Sequence, residues 1–144
     1  MSSISDYLAD DHQRCDRFFA DAEAQVADGA WDKAAAGFQT FHAAIERHLS
    51  MEEELLFPTF EQATGMMGGP TDVMRMEHEQ MRALFGSMAG AVAAHDGDSY
   101  LGDAETLLIL MQQHNAKEEQ ILYPMFDQVL GAQSSELIDQ LEHR

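Results

Sequence analysis

The stretch HLSMEEELLFP at positions 48–58 returns, 66 residues later, as HNAKEEQILYP at positions 114–124. Each copy sets a histidine four residues before a glutamate, a spacing that stacks both side chains on one face of a helix, about a turn apart. In the first copy that face runs upstream through Phe38, Phe41 and Ile45 and downstream to Leu55. In the second it runs through Ala104, Leu107 and Met111, then on to Ile121 and Met125. The polar pair therefore interrupts an apolar stripe of helical period instead of facing water. The same offset superimposes His12 on His78, Glu53 on Glu119, Phe57 on Tyr123, Pro58 on Pro124 and Phe60 on Phe126. His12 and His78 each stand alone in a further apolar stripe, one made of Leu8, Cys15, Phe19, Ala22 and Val26, the other of Met74, Met81, Phe85, Met88 and Val92.

Glycine and proline gather around Gly29, over Gly65–Pro70 and over the HDGD run at 95–98, and the stretches between them are rich in helix formers. This spacing predicts four helices, over Ser5–Asp28, Asp32–Gln62, Thr71–Ala94 and Ser99–Val129, with a short fifth after Ser134. No long run alternates apolar and polar residues as a half-buried strand would. The expectation is an all-α fold: an up-down-up-down antiparallel four-helix bundle, built from a duplicated helical hairpin. It would form one domain over 1–144, with repeat halves at about 5–64 and 71–130.

The 144 residues hold 26 acidic and 8 basic side chains, a formal charge of −18 that would repel a phosphate backbone or an anionic lipid surface. Nucleic acid and membrane are therefore excluded as expected partners. The longest unbroken apolar run, Leu107–Met111, is too short to span a bilayer, and the polar, acidic start is no signal peptide. One cysteine, Cys15, forms no internal disulfide, so nothing calls for an oxidising compartment. A soluble, cytoplasmic protein is expected.

At a rise of 1.5 Å per residue, His12, His48 and Glu52 all lie about 24 to 30 Å from the first hairpin turn. The second hairpin repeats this level, so the bundle would bring His12, His48, Glu52, His78, His114 and Glu118 into one interior layer. Unpaired ionised groups there would cost several kcal/mol each, against a net stability of about 5 to 15 kcal/mol. Imidazole and carboxylate are ligands of Fe, Mn and Zn, and this set suits two ions, each held by two histidines, with two bridging glutamates. A hydrogen-bonded polar layer without metal is the competing arrangement. Two copies of the pattern in the core frame, each with a matching single histidine, favour the metal.

His12, the run from His48 to Pro58, the E-H-E-x-M-R run from Glu77 to Arg82 and the run from His114 to Pro124 resemble the hemerythrin-like, or HHE cation-binding, family over nearly the whole chain. The resemblance implies a four-helix bundle with two non-haem iron ions, an oxo or hydroxo bridge between them, and the six residues above as ligands. The oxygen-carrying members have a second histidine where this chain has Arg82, and an aspartate five residues after the last histidine where this chain has Glu118 at four. Fewer protein ligands leave positions open for solvent or substrate. The resemblance thus points to a small ligand (O2, NO or peroxide) bound at a partly open centre by a sensor, store or carrier. The alternative is a redox enzyme of peroxide or nitric oxide, or an iron donor in repair of iron-sulfur centres.

Residues near the layer have plainer readings beside these. Cys15 is expected to pack as a small hydrophobe, and Asp16 to lie on the flank or pair with Arg82 instead of serving as a seventh ligand. Asp11, Glu53, Glu77 and Glu119 adjoin ligands in sequence but point about 100° away, which makes them surface charges by default, or hydrogen-bond partners of the ligands. Tyr123 either packs near Pro124 or approaches the metal layer. Pro58 and Pro124 are expected to kink or end their helices. His42, His95 and His143 read as exposed histidines, and the core methionines as space fillers.

Overall fold

The computed structural model describes residues 3–66 and 69–144, so positions 67 and 68 of the expected Gly65–Pro70 connection lie outside the described residues. Helix α1, Ile4–Ala27, starts on a capping box: the Ser3 hydroxyl accepts from the Asp6 N–H at 3.0 Å, and the Asp6 carboxylate accepts from the Ser3 N–H. Helix α2, Trp31–Met51, passes without a break through a π turn at Glu52–Leu56 into α3, Phe57–Thr64. Gly65, at φ 69°, stops it. Helix α4, Pro70–Ala93, opens on a proline, and α5, Gly97–Lys117, is capped by the Asp96 carboxylate accepting from the Ser99 N–H. A second π turn, Glu118–Leu122, leads into α6, Tyr123–Leu130; a 3-10 turn at Gly131–Gln133 and α7, Ser134–Glu142, follow.

No strand occurs among the described residues. Helix α1 packs on α2, α2 on α4, α4 on α5 and α5 back on α1, the closed ring of an up-down bundle. The two hairpin turns share one conformation at the offset of 66. Gly29 and His95 both adopt the left-handed region, and Ala30 N–H to Gln25 C=O matches Asp96 N–H to Ala91 C=O. The core falls into two clusters. Phe19, Phe41, Phe85 and Leu107 lie toward these turns; Leu8, Phe57, Phe60 and Phe126 fill the opposite end. Each long helix, followed through its π turn where it has one, crosses from one cluster to the other at or just beyond its histidine. Helix α7 closes the second cluster with Leu137 and Leu141, and the Arg47 guanidinium donates to the Leu141 carbonyl at 2.7 Å.

Two expectations need correction. Ile121 lies outside the core stripe, 59% exposed, and Leu55 and Met125 pack only partly buried against the core; the fully packed positions are Leu56, Leu122 and Phe126, each one residue later. Of the two expectations for Pro58 and Pro124, ending the helix is the one excluded, since each helix runs on past its proline. One cause accounts for both. In each π turn the bond closes over five residues, from the Phe57 N–H to the Glu52 carbonyl and from the Tyr123 N–H to the Glu118 carbonyl. The wider turn takes in one extra residue, so the stripe resumes one position late. It also opens the backbone just where a proline, without an N–H and with a ring that crowds the preceding turn, would strain a regular helix.

Candidate metal centre

The structure brings all six histidines and glutamates named from the sequence into one layer, none more than 3% exposed. They form two overlapping groups. Glu52, His78, His114 and Glu118 make one, His12, His48 and Glu118 the other, and within each the donor atoms lie within 4.8 Å of one another. His78 Nε2 is 3.2 Å from Glu52 Oε1, His114 Nε2 is 3.2 Å from Glu118 Oε1, and His12 Nε2 is 3.1 Å from the same Oε1.

Whether hydrogen bonds alone satisfy this layer can be checked atom by atom. Glu52 Oε1, His78 Nε2, His114 Nε2 and Glu118 Oε2 are fully buried and have no hydrogen-bond partner: the short contacts among them lack donor alignment. Leaving one such atom unsatisfied costs about 1–3 kcal/mol, so four converging on one space are poorly explained by a polar layer. Two imidazole nitrogens and two carboxylate oxygens are a donor set that a divalent first-row ion would satisfy.

The outward nitrogens of the same rings are all used. His12 Nδ1 bonds Glu119 at 2.7 Å, His48 Nδ1 bonds Asp11 at 2.8 Å, His78 Nδ1 bonds Glu53 at 2.7 Å and His114 Nδ1 bonds Glu77 at 2.8 Å. An ionised carboxylate only accepts, so each Nδ1 carries a hydrogen and a neutral ring turns the Nε2 lone pair inward. Three of the four carboxylates are themselves held by a cation: Asp11 by Arg14, Glu53 by Arg82 and Glu77 by Lys117. Glu119, which is 43% exposed, has no such partner among the described residues. Surface charge is thus the wrong default for these four, two of which, Asp11 and Glu77, are buried. The sequence carried a sign of it, because they too repeat at the offset of 66, Asp11 with Glu77 and Glu53 with Glu119. Replacing Glu77→Gln is expected to weaken metal binding about 10- to 100-fold by freeing the His114 ring. Competition with a chelating dye measures this, and unchanged affinity would show that the carboxylate does not orient the ligand.

Tyr123 does not simply pack near Pro124. Its hydroxyl lies in the layer, 2.7 Å from Glu52 Oε2, 2.9 Å from Glu118 Oε1, 3.0 Å from His12 Nε2 and 3.2 Å from His48 Nε2. Arg82 forms no pair with Asp16; it reaches Glu46, Glu53 and Glu79. Asp16 is exposed and outside both groups. It lines, with Glu23, Met111 and Glu119, a cleft of about 560 Å³ between α1 and α5. Cys15 is buried, and burial pushes its thiol up to about 12, as expected of an inert packing residue. His42 is half-buried against Phe38 and Phe85, whereas His95 and His143 are exposed.

The electrostatics follow from this pairing. Burial alone would lower the pKa of His48, but the Glu52 charge and the Asp11 hydrogen bond outweigh it and raise it to about 10. His78 is likewise raised to about 9 by Glu52 and Glu53 against its burial. Burial opposes ionisation of Asp11 and Glu53, yet their histidine and arginine partners hold both at about 2. On His48 and His78, therefore, a proton competes with a metal for the ring.

A model of the hemerythrin HHE cation binding domain matches residues 3–126 of the chain. No curated protein and no solved structure matches it. No helix among the described residues is long and apolar enough to cross a membrane.

Proposed function

Because the chain belongs to the hemerythrin HHE cation-binding domain family, we propose that it is a non-haem di-iron protein that binds a small neutral ligand (dioxygen, nitric oxide or hydrogen peroxide) as a sensor, store or carrier. The observation that carries this reading is the set of four buried, partnerless donor atoms on Glu52, His78, His114 and Glu118. His78 and His114 would hold one ion, His12 and His48 the other, and Glu52 and Glu118 would join them. A bound iron pair supplies Lewis acidity and one-electron steps at the centre of the bundle.

The protein's own part is to orient and to screen. Asp11, Glu53, Glu77 and Glu119 fix the four rings and their tautomers, so the donors are in place before any ion arrives. The two core clusters above and below the layer exclude bulk water. The acidic cleft at Asp16, Glu23 and Glu119, on a chain of charge −18, repels anions and leaves uncharged diatomics and hydrogen peroxide unhindered.

The test is to load the protein with ferrous iron anaerobically, determine iron per chain, and follow its optical spectrum through stoichiometric oxygen and then peroxide. Two irons and a spectrum that reverts when the ligand is withdrawn support the reading. Irreversible oxidation, or oxygen released from peroxide over many turnovers, overturns it in favour of a redox enzyme; net transfer of iron to an acceptor overturns it in favour of a repair donor.

A further inference from the structure

Among the side chains that face the layer, the two halves of the centre differ at one atom. Tyr123 and Phe57 are equivalent at the offset of 66, and both rings stack on a histidine, Tyr123 on His12 at 5.5 Å and Phe57 on His78 at 5.8 Å. Only one of them ends in an oxygen. On the Phe57 side the inward atoms of His78 and His114 have no partner; on the Tyr123 side the inward atoms of His12 and His48 both touch the hydroxyl.

Those contacts cannot all be hydrogen bonds. Neutral His12 and His48, the form a metal ion binds, offer only Nε2 lone pairs toward the hydroxyl, and Glu52 and Glu118 are acceptors only. The hydroxyl owns a single hydrogen and can donate to one of the four, so in that form the other contacts gather lone pairs round one space, as the donors of a metal site do. A cation among the five atoms turns every contact favourable. The spacing suits one: neighbouring donors of an octahedral ion with bonds of about 2.1 Å lie about 3.0 Å apart, and the hydroxyl sits 2.7 to 3.2 Å from the other four. The ring is also held in place, fully buried and packed against Phe126, with its own N–H bonded to the Glu118 carbonyl.

We propose that the Tyr123 oxygen is itself a ligand, bound to the ion that His12, His48 and Glu118 hold, so that the two metal positions are chemically different. This rests on the di-metal reading above. On ligation the phenolic O–H bond breaks and an oxygen–metal bond forms; the proton leaves to water, and no electron changes hands.

The experiment compares the wild type with Tyr123→Phe, each loaded anaerobically with ferrous iron and then oxidised with one equivalent of ferricyanide per iron. The readouts are iron content, the visible spectrum and resonance Raman scattering excited within it. The expected result is two irons in both proteins, with a visible phenolate-to-iron charge-transfer band and enhanced tyrosine ring modes in the wild type alone. Phe57→Tyr offers a second ring at the other ion and is expected to strengthen the band, which keeps the test open should Tyr123→Phe fold poorly. A wild type that holds two irons without tyrosine-enhanced modes overturns the proposal and leaves the di-iron reading standing, as do modes that persist in Tyr123→Phe. Failure of the wild type to hold iron overturns both.

Discussion

Glu118→Ala is expected to strip the protein of both metal ions, whereas His12→Ala leaves about one per chain. Glu118 is the residue common to the two donor groups, with Oε1 beside His12 and His114 and Oε2 buried and partnerless. Loss of a partner that merely orients a ligand costs about 10- to 100-fold in affinity, and loss of a donor shared by two ions should exceed that for each of them. His12 belongs to one group only, and Glu52, His78, His114 and Glu118 retain all four donors without it. Metal analysis after ferrous loading and desalting separates the outcomes. Two ions retained in Glu118→Ala, or none in His12→Ala, would contradict the shared-carboxylate geometry.

The second large effect is a reversal in how pH acts on stability. In the metal-free protein, His48 and His78 are raised from 6.5 to about 10 and about 9, so their contribution is full below pH 6.5 and lost as pH climbs through those values. Asp11 and Glu53 are lowered to about 2, so theirs is full above 3.8 and 4.5 respectively and lost as pH falls toward 2. Apoprotein stability should therefore be greatest between pH 4.5 and 6.5. Metal works the other way, because it must displace the imidazole protons, and each displaced proton is worth up to about tenfold in apparent affinity per pH unit. The gain in Tm on loading should thus grow from pH 6.5 toward 9. It should reach roughly 10–15 °C where the free ion is about a thousandfold above its Kd. Thermal melts of apo and loaded protein across this range check it; a gain independent of pH would mean that no protons are exchanged for metal.

How far the sequence went, and where it stopped, has a physical explanation. The helices and their polar layer were legible because an apolar stripe broken at the same height in every helix, by a histidine alone in α1 and α4 and by a histidine–glutamate pair in the other two, is a property of single helices and loop lengths. The orienting carboxylates were harder, since each acts on another helix: Glu53 beside α2 reaches His78 on α4, and Asp11 on α1 reaches His48 on α2. A residue turned about 100° from its own core face looks like surface until the neighbouring helix is in place. Tyr123 depended on the π turn. Five residues after Glu118 on a regular helix it would stand about 140° round from it; with one residue absorbed it takes the place of a fourth residue, about 40° away, and enters the layer. Nothing in residue period announces a π turn. Only the prolines at 58 and 124, each six residues past a glutamate, hinted that the helix changes there.

The π turns also set where this chain tolerates a change of length. Anywhere else in the long helices, losing one residue turns everything beyond it by about 100° and swings the distal aromatic core toward solvent. Within Glu52–Leu56 or Glu118–Leu122, at exposed Glu54 or Gln120, the loss closes the wide turn to a regular one. Phe57, Phe60 and Phe126 then stay in phase with the helix before them. An alignment gap at those two places is structurally silent for the core, and elsewhere between the two core clusters of a long helix it is not.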